Sequence, residues 1–172
     1  MQHDLSHIKS ELEKNCIAFV DIETTGLSKE YHDITLIGIY DGQDVHQYIK
    51  GKNLEDAKTK LSEFKTIVTF NGKCFDVPFI EHKLETTCDH LHLDLRYLLK
   101  EFGLAGGLKK IEKELGLVRD EDIAHIDGFF AVRLWHDYIA GSVEALELLL
   151  KYNKEDIVNL KTLLNWYIEK KK

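Results

Sequence analysis

Residues 19–27 read FVDIETTGL, an apolar run that ends on two acids one residue apart, Asp21 and Glu23. In a strand, side chains two apart share a face. Two carboxylates on one face of a buried strand repel each other unless something positive lies between them. Two further acids stand in comparable places. Asp76 follows the apolar run TIVTF after a short turn, in NGKCFD, and YNKED sets Tyr152 and Asp156 four residues apart. On a helix those two are neighbours on one face, with Cβ atoms about 5–6 Å apart. Hard divalent cations such as Mg²⁺ take carboxylates, waters and phosphate oxygens as ligands. Two such ions roughly 3.5–4 Å apart can clamp the attacking and leaving oxygens of a phosphodiester. Four carboxylates from two strand ends and a helix suffice for such a site, so the positive partner expected between Asp21 and Glu23 is metal. Each piece alone has a plainer reading. In a chain with 30 acids, Asp-x-Glu is also a solvated strand end, and Tyr-x-x-x-Asp is also packing plus a surface charge. Their joint occurrence, in order and at the ends of suitable elements, carries the inference.

The elements that must position these residues follow from periodicity. Residues 16–23 are continuously rich in strand-forming residues, as in a strand buried on both faces. The runs 34–42 and 44–49 make a hairpin over Asp41-Gly42-Gln43. A helix is expected over 53–64 with Asn53 as N-cap, then a strand at 66–70, a turn at Asn71-Gly72, and a helix over 76–84 that accepts Pro78 in its first turn. HLHLD (90–94) alternates like a strand, and Asp94 caps a helix over 95–102. Helices follow over 108–116, 128–140 and 143–169, the last with a break near Tyr152. The first fifteen residues read as a short amphipathic helix, and Lys170–Lys172 as a frayed tail. The order gives an α/β domain with a mixed sheet covered by helices.

The totals set bounds. With 172 residues, 44% of them hydrophobic, the chain suits one domain with a substantial core. The N-terminus lacks the apolar centre of a signal peptide, and no apolar run is long enough to span a membrane. Cys16, Cys74 and Cys88 are an odd number without paired spacing, which fits free thiols in a reducing cytoplasm. The formal charge of −7 disfavours phosphate binding through Lys and Arg. Counting the four acids as metal ligands brings it to −3, and metal charge then offsets the acids locally. His90, His92 and Asp94 share a strand face, either as metal ligands or as an N-cap with half-exposed histidines. Lys109, Lys110 and Lys113 form a basic stripe, either a solvated face or a phosphate contact.

FVDIETTGL, NGKCFD and YNKED together resemble the three motifs of the DEDD (DnaQ-like) superfamily of 3′–5′ exonucleases in its tyrosine form. HLDLRYLL, GLKKIEKELG and the stretch from LWHDYIAG through LLKYNKEDIVNL are similar to the YprB-like group within it. The resemblance spans about residues 16–165 of a single 1–172 domain. It implies a ribonuclease H-like fold, with a five-stranded mixed sheet, one strand antiparallel, flanked by helices. It implies two divalent cations, Mg²⁺ or Mn²⁺, and hydrolysis at single-stranded DNA or RNA 3′ ends. Asp21 would bridge the metals, Glu23 and Asp156 would hold the one that activates water, Asp76 would serve the other, and Tyr152 would orient the water. Thr24, Thr25, Gly26 and Leu27 would line the pocket for the terminal nucleotide, with Gly26 admitting close backbone approach and Leu27 wedging against a base. Asn71 and Phe75 would contact substrate. The alternatives are a tight loop for 24–27, an Asn-Gly turn for Asn71 and a core aromatic for Phe75. At the level of function they are a catalytically idle ribonuclease H-like module that binds nucleic acid or protein, and a structure-specific endonuclease. The acidic surface also suggests a protein partner in trans that supplies grip on nucleic acid.

Overall fold

The structure is a computed structural model that describes residues 5–171. Of the N-terminal helix expected over the first fifteen residues, 1–4 lie outside the described residues, as does Lys172 of the expected tail. Helix α1 runs Leu5–Glu13 and leads into strand β1, Ile17–Thr24. Strands β2 (Ile34–Tyr40) and β3 (Val45–Ile49) follow as a hairpin, then α2 (Asp56–Leu61), β4 (Thr66–Thr69), α3 (Asp76–Lys83), β5 (Leu91–Asp94) and α4 (Leu95–Lys100). The chain ends in helices α5 (Leu108–Glu114), α6 (Glu121–Ala124), α7 (Gly128–Ile139) and α8 (Val143–Lys170).

The five strands make one sheet in the order β3-β2-β1-β4-β5. β1 pairs antiparallel with β2 and parallel with β4; β2 pairs antiparallel with β3, and β4 parallel with β5. Only β2 therefore runs against the rest, as expected from the sequence. The hairpin turn forms where Asp41-Gly42-Gln43 predicts it. Asp41 Oδ1 accepts from the N–H groups of Gln43 (2.9 Å) and Asp44 (2.7 Å), and Gly42 takes the positive φ of 97° that the turn needs.

Period-two alternation divides β1 between two cores. Ile17 and Phe19 face a layer with Ile8, Leu95, Leu98, Ile111, Leu160 and Leu164. Ala18, Val20 and Ile22 face the opposite layer with Ala57, Leu61, Phe79 and Ile80. Asp21 and Glu23 continue the Ile17–Phe19 row, so they point to the face that α8 covers. A third cluster packs α6, α7 and the start of α8 over Leu36 of β2. Fully burying one such Leu or Ile contributes about 1.5–3 kcal/mol, so the two faces hold β1 rigidly between them.

Three sequence expectations change, and one helix is added. Helix α8 is continuous through Tyr152, since its buried stripe Leu149, Tyr152, Asn153, Asp156 and Leu160 never loses its period. The stripe turns polar there without breaking. Asn53 is not a helix cap: its Oδ1 accepts from the Ile49 N–H at 2.8 Å and closes a turn after β3, so α2 starts later, with no side-chain cap. The C-terminal residues are not frayed up to Lys171, whose Nζ pairs with Glu101 at 2.7 Å. The short helix α6 was not anticipated.

Candidate active site

β1 delivers Asp21 and Glu23 and α8 delivers Asp156. Ligand oxygens of these three carboxylates all lie within 4.8 Å of one another. Asp76 comes in from the other side of β1, at the first turn of α3, where its Oδ1 accepts from the Ile22 N–H at 3.1 Å. It lines the same cavity but lies outside the tight trio. Asp94 does what its cap position predicts. Its carboxylate accepts from the N–H groups of Arg96, Asn71 (2.8 Å) and Lys73 (3.0 Å) and so fixes the turn that leads to Asp76.

The cavity above these acids has a volume of about 650 Å³. Every residue expected at the site lines it: Asp21, Glu23, Thr24, Thr25, Gly26, Leu27, Asn71, Phe75, Asp76, Tyr152 and Asp156. Several do so for reasons the sequence did not reveal. The Thr24 hydroxyl donates to Gly26 O at 2.7 Å, and Thr25 Oγ1 accepts from the Asp33 N–H at 3.0 Å, so both hydroxyls shape the loop. A Cβ on Gly26 would lie 2.4 Å from the His32 ring. The glycine is thus required by His32 packing, apart from any approach of substrate. Asn71 adopts a positive φ of 66°, and its Oδ1 accepts from Arg96 Nη1 at 2.6 Å. Phe75 stacks at a tilt on Phe79, centroids 4.9 Å apart. Leu27 is 79% exposed and free to meet a ligand.

Burial and mutual repulsion govern the charges. Burial first, then Asp156, Asp76 and Glu23, pushes the Asp21 carboxyl well above its usual range, and Glu23 is raised in the same way. Burial raises Asp76 to about 7 and, against the opposing pull of Arg119, Asp156 to about 6. The Tyr152 hydroxyl is also pushed up, by burial and then by Asp156, Glu23 and Asp21. Glu23 Oε1 is buried with no hydrogen-bond partner among the described residues. A trio of hard oxygen donors, one of them unsatisfied, suits a divalent cation.

Sequence reasoning missed several participants. Asn153 donates from Nδ2 to Asp21 Oδ2 at 3.2 Å and accepts at Oδ1 from Gln47 Nε2 at 3.1 Å. Gly38, paired with Asp21 across β1 and β2, leaves the room: a Cβ there would sit 2.1 Å from Asn153 Oδ1. Arg119, between α5 and α6, pairs with Asp156 and Glu112. Asp127, Gly128, Phe129 and Val132 form another wall, with Phe129 84% exposed. Asn153 was visible inside YNKED; Arg119 and Phe129 sit in segments with no local signal.

The histidine pair takes its structural reading, whereas the lysine stripe divides. His92 Nε2 lies 2.8 Å from Thr69 Oγ1 and His90 Nε2 3.0 Å from Leu61 O, while Asp94 is spent on backbone N–H groups. Of the lysine stripe, Lys110 pairs with Glu114 at 3.6 Å. Lys109 instead turns inward, its Nζ 5.0 Å from the Tyr152 ring centroid.

A family model described as the RNase_H superfamily matches residues 18–168. The Bacillus subtilis "Uncharacterized protein YprB" is 32% identical over 184 residues, covering 92% of this chain and 44% of that protein. The family B DNA polymerase of the hyperthermophilic archaeon Pyrobaculum calidifontis superposes with a TM-score of 0.68 at 14% identity, over 87% of this chain and 24% of the polymerase. Brucella melitensis NrnC with bound Mg²⁺ superposes with a TM-score of 0.63 at 22% identity, over 90% of this chain and 72% of that one. The same Brucella protein bound to pGG gives a TM-score of 0.63 at 20% identity, with the same coverage of both chains. The chain thus spans under half the length of YprB and about a quarter of the polymerase.

Proposed function

The chain belongs to the RNase_H superfamily, and from that premise we propose that it is a divalent-metal-dependent nuclease that removes nucleotides from the 3′ end of single-stranded DNA or RNA. The observation that carries this reading is the trio Asp21, Glu23 and Asp156, whose ligand oxygens lie within 4.8 Å of one another on one side of an open cavity. Three buried carboxylates and a half-buried fourth, gathered on one cavity, have no structural use that apolar residues would not serve better, which argues against an idle binding module. NrnC, which shares the fold, binds Mg²⁺ in one structure and pGG in another, in keeping with the reading.

Asp21, Glu23 and Asp156 would hold the cations, with Asp76 beside them. When bound, the cations stabilise the charge that develops on the attacking and leaving oxygens of a phosphodiester. The protein's own part is positioning. Asn153 holds the Asp21 carboxylate from behind. A tyrosine hydroxyl, with an ordinary pKa of about 10, keeps its proton at neutral pH, so that of Tyr152 orients the attacking water through a hydrogen bond. Leu27 and the ring of Phe129 present apolar surface to a base, a contact that any sequence can make. The domain is taken as 1–172 with its core at about 16–165. Cys16, Cys74 and Cys88 are all free thiols, consistent with a cytoplasmic setting. Among the described residues no helix is long and apolar enough to cross a membrane.

The reading is tested with 5′-labelled single-stranded DNA and RNA in Mg²⁺, Mn²⁺ or EDTA. A ladder that shortens from the 3′ end with metal and halts in EDTA supports it. Cleavage that persists in EDTA, or none in either metal on either nucleic acid, contradicts it.

A further inference from the structure

We propose that Arg119 is a positioning residue of the metal site: anchored by Glu112, it fixes the Asp156 carboxylate against Asp21 and Glu23 and holds the Tyr152 ring beside them. The inference rests on the metal-dependent reading above. Arg119, Glu112 and Asp156 are 8%, 1% and 4% exposed. Arg119 donates from Nε to Glu112 Oε2 at 2.6 Å and from Nη2 to Glu112 Oε1 at 2.7 Å. The same Nη2 donates to Asp156 Oδ1. Asn159, one turn beyond Asp156 on α8, donates from Nδ2 to Glu112 Oε1 at 3.0 Å. The guanidinium carbon lies 5.6 Å from the Tyr152 ring centroid.

Two features separate this arrangement from an ordinary buried ion pair. The fork of Arg119 grips Glu112 with two hydrogen bonds, which fixes the guanidinium plane. Nη2 then reaches only one oxygen of Asp156, so the rotation of that carboxylate is set while its other oxygen stays available. Glu112 also balances the charge of Arg119, so the pair adds no net positive charge where a cation must bind. Three buried charges contribute little stability that similar apolar residues would not; what apolar residues cannot do is orient Asp156.

The test is Mn²⁺ titration of the full chain by calorimetry, without substrate. The double variant R119M/E112M removes both charges at similar volume. R119K keeps a charge opposite Glu112 but loses the fork. Loss of a partner that orients a metal ligand typically weakens affinity about 10–100-fold, and the double variant should fall in that range, with R119K between it and wild type. Circular dichroism establishes that each variant folds; if the double variant does not, R119K decides alone. A lower melting temperature with unchanged Mn²⁺ affinity would mean a purely structural role and overturn the inference. Absence of Mn²⁺ binding by the wild type would instead overturn the metal reading, and the inference with it.

Discussion

Asp21 is the residue on which the other acids converge. Burial and three neighbouring carboxylates push its proton affinity up, and a hydrogen bond from Asn153 opposes them. Asp21→Asn relieves that repulsion and removes a ligand. Activity should be lost, while the melting temperature of the metal-free protein rises; turnover near that of wild type would disprove the two-metal account. Tyr152→Phe asks a narrower question. If the hydroxyl orients the attacking water, turnover should drop by roughly 10²–10⁴-fold, the range for a lost proton-handling group, with Mn²⁺ affinity unchanged. An unaltered rate would reduce Tyr152 to packing. At this scale the sequence was legible wherever chemistry and periodicity coincide, as in Asp-x-Glu on a strand or Tyr-x-x-x-Asp on a helix. It was silent on Arg119, whose partners Glu112 and Asp156 lie 7 and 37 residues away. It gave no sign of a second reason for Gly26, contact with His32, which depends on a loop closing back on itself.

The elements place these residues through one crossing, α8 over β1. Its tightest point is Gly38, beside Asp21 on β2, where Asn153 enters the space a side chain would take. Gly38→Ala should push Asn153 away and loosen Asp21. The expected cost is about 1–3 kcal/mol, as for overpacking elsewhere, read from urea unfolding, together with weaker Mn²⁺ binding. Unchanged stability and affinity would show that Asn153 has another home and does not position Asp21. Short, mostly apolar runs made the sheet legible, because β1, β2 and β4 bury nearly every residue. Helix edges were less legible. Asn53 has the side chain of a cap but serves a turn, and the polar residues at Tyr152–Asp156 look like a break although they continue the buried stripe of α8. Both outcomes were decided by tertiary contacts that no local window contains.

For the molecule as a whole, the raised carboxyl groups link stability to pH. A carboxyl whose folded pKa exceeds its unfolded value binds its proton more tightly in the native state, so stability falls as pH rises between the two. With Asp76 at about 7 and Asp156 at about 6, against an ordinary 3.8, the metal-free protein should lose stability from about pH 4 to pH 7. Added Mg²⁺ or Mn²⁺ should restore it by binding the native state. A melting temperature that is flat across that window in EDTA would contradict the buried acidic cluster. The net charge of −7 further predicts a shallow salt dependence of substrate binding, because few phosphates are neutralised by Lys or Arg. The most direct test of the central claim compares a 5′-labelled single strand bearing a free 3′-hydroxyl with the same strand ending in an inverted 3′ nucleotide, both in Mn²⁺. The account predicts stepwise shortening of the first and none of the second. Efficient cleavage of the blocked strand, or of a circular one, would contradict it and identify an endonuclease.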